Sequence, residues 1–138
     1  MRLQRLLLLT LLAGCIAAAA DQNPKAFSGT WEGKYKDTVY CVLKVNAAEP
    51  LSGSMSVGQI DTDDAGDLKS AGPAAGDGYP LVNPRVEDGK LLFSWNDDSG
   101  DEPVKLELTI AADGHSELRF LSTPADVKIK PLKLARKD

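Results

Sequence analysis

Phe27-Ser28-Gly29-Thr30-Trp31-Glu32-Gly33-Lys34-Tyr35 is the stretch on which the reading of the chain turns. Alternation along it sets Trp31 and Tyr35 on one face of a short strand, with Gly33 between them. A glycine at that point leaves room for a neighbouring backbone or ring to come close. One strand cannot cover its own tryptophan, so the remainder of the chain has to supply the cover.

It does so with further strands. Residues 37–38 make a tight turn, and residues 39–46 put Val39, Cys41, Leu43 and Val45 on one face. Leu51, Gly53, Met55 and Val57 then alternate with Ser52, Ser54 and Ser56, the period of a strand with one dry and one wet face. Asp88-Gly89 feeds Leu91, Phe93 and Trp95, and Asp113-Gly114 leads to Leu118 and Phe120; Asp-Gly between alternating runs is a strong hairpin signal. Val104, Leu106, Leu108 and Ile110 form another strand, and residues 127–134 read as the last, with its phase broken at Pro131. Residues 79–86 read as a bent edge strand, because Pro80 and Pro84 cannot donate to a central ladder. No stretch of the mature chain has helical period. About eight short strands argue for an all-β fold, a small antiparallel up-and-down barrel or a sandwich, in one domain over 29–138.

Ahead of that domain lies an export signal. Arg2 and Arg5 form a basic start, residues 6–12 an apolar core, and residues 17–20 a run of alanines before Asp21. Residues 1–20 are therefore read as a signal peptide and 21–28 as a polar leader, mobile over 21–25. Leu12-Ala13-Gly14-Cys15 also matches the bacterial lipobox, in which Cys15 is lipidated after cleavage before it. Both processing routes stay open, and both lead out of the cytoplasm: to a periplasmic or secreted protein, or to a lipoprotein touching the membrane only through Cys15. Once Cys15 is removed or lipidated, Cys41 has no partner for an intramolecular disulfide, and its place on an apolar face reads as buried and inert.

Composition narrows the function classes. The 138 residues suffice for one core, and aromatics make up only 6%, so aliphatic side chains must supply most of it. The formal charge is −4; losing Arg2 and Arg5 with the leader leaves 14 basic against 20 acidic residues, or −6. A negative field argues against nucleic acid and anionic membrane as nonspecific partners.

Candidate sites are few. Residues 61–80 carry Asp61, Asp63, Asp64, Asp67 and Asp77 with four glycines and two prolines, and read as a long mobile loop. Asp61, Asp63, Asp64 and Asp67 around a glycine turn are the candidate calcium ligands, although an EF-hand would need a glutamate where Gly72 stands. Asn96 to Glu102 is a second acidic turn. The lone His115 comes after an Asp-Gly turn, a poor place for a general base. Glu32 beside Trp31 is the weak basis for a carbohydrate hydrolase. No catalytic constellation emerges, so the reading is non-enzymatic and needs no cofactor. Trp31, Tyr35, Phe93 and Trp95 either line a cavity for a small apolar ligand or plug the barrel as core.

Gly29-Thr30-Trp31 near the mature start resembles the Gly-x-Trp signature of the lipocalins and their calycin relatives. The resemblance implies a barrel whose tryptophan closes one end, and a small apolar ligand inside. A second resemblance covers nearly the whole mature chain: Gly-Thr-Trp-Glu-Gly-Lys, Leu-Ser-Gly-Ser-Met, Asn-Pro-Arg-Val-Glu-Asp-Gly-Lys-Leu-Leu-Phe, Glu-Leu-Arg-Phe-Leu and Lys-Pro-Leu-Lys-Leu are similar to landmarks of uncharacterised exported bacterial domains. It implies fold and location and names no activity. The sequence thus leads to an exported, calycin-like barrel that binds a small apolar ligand, with an envelope protein-interaction module built on a filled core as the alternative.

Overall fold

The computed structural model describes residues 23–96, 102–123 and 127–137. A short 3-10 turn, Pro24–Phe27, opens the folded region ahead of eleven strands. They are β1 (Gly29–Tyr35), β2 (Thr38–Asn46), β3 (Ser52–Val57), β4 (Ile60–Thr62), β5 (Leu68–Ala71), β6 (Tyr79–Pro80), β7 (Val82–Glu87), β8 (Lys90–Trp95), β9 (Val104–Ile110), β10 (Ser116–Phe120) and β11 (Leu132–Lys137). Nine of them form one antiparallel sheet in the order β6-β3-β2-β1-β11-β10-β9-β8-β7. The two outermost strands, β6 and β7, are separated in sequence only by Leu81. Residues 79–87 are therefore one bent segment, its first half paired to β3 and its second to β8. Leu81 itself donates its N–H to Gly53 O at 3.0 Å. The sheet so curls into a nearly closed up-and-down barrel of eight staves, as the alternation predicts.

The hairpin signals hold. Asp88 and Gly89 both take positive φ, 52° and 75°, the mirror-image turn whose twist matches the flanking strands. Gly114 (φ 89°) makes the β9–β10 connection, closed by the Ala111 N–H to His115 O bond. Inward positions are buried: Leu91, Phe93 and Trp95 on β8, Leu106 and Leu108 on β9, Leu118 on β10, Leu132 and Leu134 on β11.

Four expectations need correction. Alternation puts Val39 inside, yet the register of β1 on β2 shifts after Gly33, pairing Gly33 with Cys41 and Lys34 with Val39. Tyr40 is the extra residue of a β-bulge, and a bulge turns two neighbours toward one side. Tyr40 and Cys41 are both buried, while Val39 is only half-buried. Gly33 makes this possible, since a Cβ there would lie 3.1 Å from the Tyr40 ring and 2.8 Å from Leu134 Cδ2. Second, the leader is not loose up to Lys25: Pro24–Phe27 form the 3-10 turn, and Asn23 Oδ1 accepts the Lys25 N–H. Third, residues 61–80 are not a structureless loop. They hold most of the β4–β5 hairpin, with Ile60, Leu68 and Ala71 packed on the core. Fourth, the last strand starts at Leu132, beyond Pro131; residues 127–130 run as irregular chain beside the hairpin.

The bent segment is where the wall is weakest. Pro80 and Pro84 lie in it, Asn83 has φ 51°, and the β7–β8 register shifts between Val82 and Arg85. Beyond the short β3–β6 ladder and the Leu81 bond, two contacts hold β3 to this part of the wall. The Trp95 indole N–H donates to Met55 O at 2.9 Å, and Gly78 (φ +75°) passes so near Met55 that a Cβ would lie 2.2 Å from its carbonyl oxygen. Gly76 (φ +71°) supplies an internal control, with nothing within 4 Å of its Cβ position. Gly76→Ala is expected to cost only the left-handed strain, about 1–2 kcal/mol. Gly78→Ala adds a backbone clash and should lower the urea midpoint well beyond it; equal losses for the two would refute this account of the closure.

Candidate functional site

Antiparallel pairing sorts the chain between two ends of the barrel. At one end lie the start of β1, the end of β11 and the 3-10 turn. Trp31 is fully buried there, its indole N–H bonded to Phe27 O at 3.0 Å. The Arg136 guanidinium stacks over the same ring, 4.3 Å from its centroid, and donates to Ala26 O (2.8 Å) and to Ser28 O. Trp31 is thus the floor of the barrel. Arg136, which alternation along β11 does not single out, fastens that floor to the turn beneath it.

The other end is the rim. Tyr35 reaches it half-buried, and its hydroxyl donates to Lys69 O of β5 at 2.9 Å. The β4–β5 hairpin folds across this end: Thr62 Oγ1 donates to Lys128 O at 2.9 Å and the Lys130 N–H to Gly66 O at 3.0 Å. Beside it lies a recess of about 370 Å³, lined by Ser56, Val57, Pro73, residues 75–78, Tyr79 and Trp95. Ser56 Oγ donates to Ala75 O at 2.8 Å, which shapes one wall. Tyr79 meets Trp95 edge-on at 6.2 Å between centroids. Tyr79 is 40% exposed and Val82, three residues on, 48%. Tyr79 thus sets exposed aromatic surface at the edge of a concavity, with Val82 exposed further along the same bent segment.

The four aromatics expected to face a ligand therefore part company. Trp31 and Phe93 are core. Tyr35 braces the hairpin, and Trp95 divides its ring between the core and the recess. Trp31, Cys41, Leu43, Met55, Leu91, Leu106, Leu108 and Leu118 are fully buried. Burial of this extent fits side chains that fill the interior, as a small eight-stranded barrel permits. Tyr79 is not among the residues that the sequence singles out. Its signal lies in the two prolines of an edge strand, which keep a ring at the wall from being covered.

The acidic residues are occupied within the hairpin. Asp63 Oδ1 accepts the N–H groups of Ala65 and Asp67, both at 2.9 Å. Asp61 accepts the Ser70 hydroxyl at 3.0 Å, and Asp67 pairs with Lys130 Nζ at 3.0 Å. Asp64 is exposed on the same tip. Among the described residues no group of three His, Cys, Asp or Glu side chains is placed to hold a metal. Most of the second acidic turn, residues 97–101, and Cys15 lie outside the described residues. His115 sits exposed at its hairpin tip, 3.3 Å from Asp113, whose carboxyl is held below its usual range first by the His115 backbone N–H.

Comparison with protein-family models, with curated proteins and with solved structures finds no match to this chain.

Arg136→Lys keeps the charge but loses the planar fork that bonds two carbonyls and stacks on the indole. It is expected to cost about 1–3 kcal/mol in denaturant unfolding, nearly as much as Arg136→Ala; full rescue by lysine would show that charge alone matters. Burial pushes the Cys41 thiol up to about 12, and burial, then the neighbouring Cys41, pushes the Tyr40 phenol up to about 12. In the unfolded chain both ionise at lower pH, near 9 and 10, so between pH 9 and 12 the unfolded state binds fewer protons than the folded one. Stability should be fully present below pH 9 and fall by about 1.4 kcal/mol per pH unit for each group still protonated when folded. Cys41→Ala and Tyr40→Phe should each flatten that decline; an unchanged slope would disprove it.

Proposed function

We propose that this chain is a non-catalytic, exported binding protein with a filled calycin-like barrel, which meets an envelope protein through the rim surface around Tyr79, Val82 and Trp95. The observation that carries this reading is the contrast between interior and rim. The inward side chains are buried, most of them almost completely, whereas Tyr79 and Val82 leave a large part of theirs in water. Surface aromatics beside a concavity are what protein interfaces use as anchors. The leader over residues 1–20 supports a place outside the cytoplasm, either released after residue 20 or held by a lipid on Cys15. Absence of catalysis is supported by the uses the candidate groups already have: His115 is turned to its neighbour Asp113, and Glu32 to Lys137 at 3.7 Å.

Carriage of a small apolar molecule is the second reading, and it moves from the interior to the 370 Å³ recess. The Gly-x-Trp start supports it by resemblance, and the Tyr79–Trp95 pair supplies an apolar wall.

The two readings separate in one experiment. A photo-crosslinking residue is placed at Tyr79, and at Lys90 as a control, in the producing cell, and the purified chain is weighed by native mass spectrometry. The interface reading predicts a bare chain and a discrete protein adduct from position 79 only, lost with Val82→Ser while the melting temperature holds. A mass excess that leaves on denaturation, with no adduct at 79, would transfer the conclusion to the carrier.

A further inference from the structure

On the outer wall of β1 and β11, away from the rim, charges are not arranged as they are elsewhere on the barrel. Alternation turns Glu32 and Lys34 outward from β1, and Lys133, Ala135 and Lys137 outward from β11. Glu32 is paired with Ala135 across the two strands. The ladder ends there; two residues further along each strand stand Lys34 and Lys133, and both side chains line one recess. Like charges gathered at one recess repel each other. Glu32 is taken by Lys137 at 3.7 Å, and Arg136 is spent on the turn carbonyls and Trp31. On the far side of β11, Glu117 is the Cα partner of Lys133. Even so, neither Lys34 nor Lys133 makes an ion pair among the described residues.

The same wall solves the problem differently three strands away. There Glu107 lies between Lys90 and Arg119, at 3.8 and 3.6 Å, and the row neutralises itself. Between β1 and β11 there is instead a depression. Ala135 is the short side chain among long ones, and its floor is part of a recess of about 470 Å³ rimmed by Glu32, Lys34, His115, Lys133 and Lys137. An unpaired lysine couple over an apolar floor, on a chain of net negative charge, marks one position where an anion is drawn in rather than repelled.

We propose that this recess binds an organic phosphate, with the phosphoryl oxygens between the Lys34 and Lys133 ammonium groups and the ester carbon on Ala135. Ammonium groups serve as point charges for phosphate, and each contact is charge-assisted. The source is a phospholipid headgroup or a free phosphate ester, which share this chemistry. The site does not depend on the rim.

The test tracks backbone amide resonances of the mature chain while glycerol 3-phosphate is added. Saturable shifts at Lys133, Ala135 and His115 are expected. Lys34→Gln and Lys133→Gln should each weaken the titration about tenfold with the melting temperature unchanged or raised. A parallel sedimentation uses phosphatidylglycerol and phosphatidylcholine vesicles. Shifts with the soluble ester and no sedimentation assign a free ester; sedimentation with phosphatidylglycerol alone, lost in the double variant, assigns the headgroup. Absence of both, or shifts that persist in the double variant, overturns the site.

Discussion

The indole of Trp31 is the group on which the closed end of this barrel depends. A ring of that size has to be buried, and its N–H has to find a partner once it is. The 3-10 turn provides both, covering the ring with Phe27 and offering the Phe27 carbonyl. The turn in turn has carbonyls that the strands cannot satisfy, and Arg136 takes two of them while lying over the ring. Four parts of the chain are so locked by one residue: the entry turn, β1, β11 and the core above. Removing any partner leaves a buried polar group or an uncovered face, each of which costs more than the contact alone contributes.

The opposite end is held in another way. There the chain leaves the barrel after β3, builds the β4–β5 hairpin, and returns as the bent segment that completes the wall. Apolar burial at this end is modest, with Ile60, Leu68, Ala71, Ile129 and Tyr35 only partly covered. Polar contacts make up the difference: Asp63 ties its own turn, and Thr62, Asp67 and Gly66 tie the hairpin to residues 128–130. A composition that suggests a loose acidic loop is thus compatible with an ordered element, because the acids satisfy backbone donors and one lysine rather than each other.

This contrast explains which features are legible in the chain itself. Strand alternation, the Asp88-Gly89 and Asp113-Gly114 turns and the prolines of residues 79–86 are local signals, and the barrel comes out of them. The bulge at Tyr40 is not legible, since alternation has no term for an inserted residue; only the glycine opposite, Gly33, hints that a ring approaches. The β4–β5 hairpin is hidden because strands of three and four residues carry too little pattern against five aspartates and four glycines. Arg136 is hidden by distance, 108 residues from Ser28. Of the four aromatics singled out, burial rather than position decides their role, and burial depends on how tightly eight staves close. The edge strand that Tyr79 opens is legible, whereas the grouping of Lys34 with Lys133 is not, because it is defined by what lies across a strand boundary.

The pairing of β1 with β11 has a consequence in time. The first stave of the barrel stays an open edge until the last six-residue strand has been made and delivered. Nothing shorter than nearly the full chain can seal the core, so folding is dominated by contacts of long sequence separation, which form slowly. Such an architecture delays sealing of the core until the last strand has docked. The clasp of Arg136 on the entry turn then acts as the final latch.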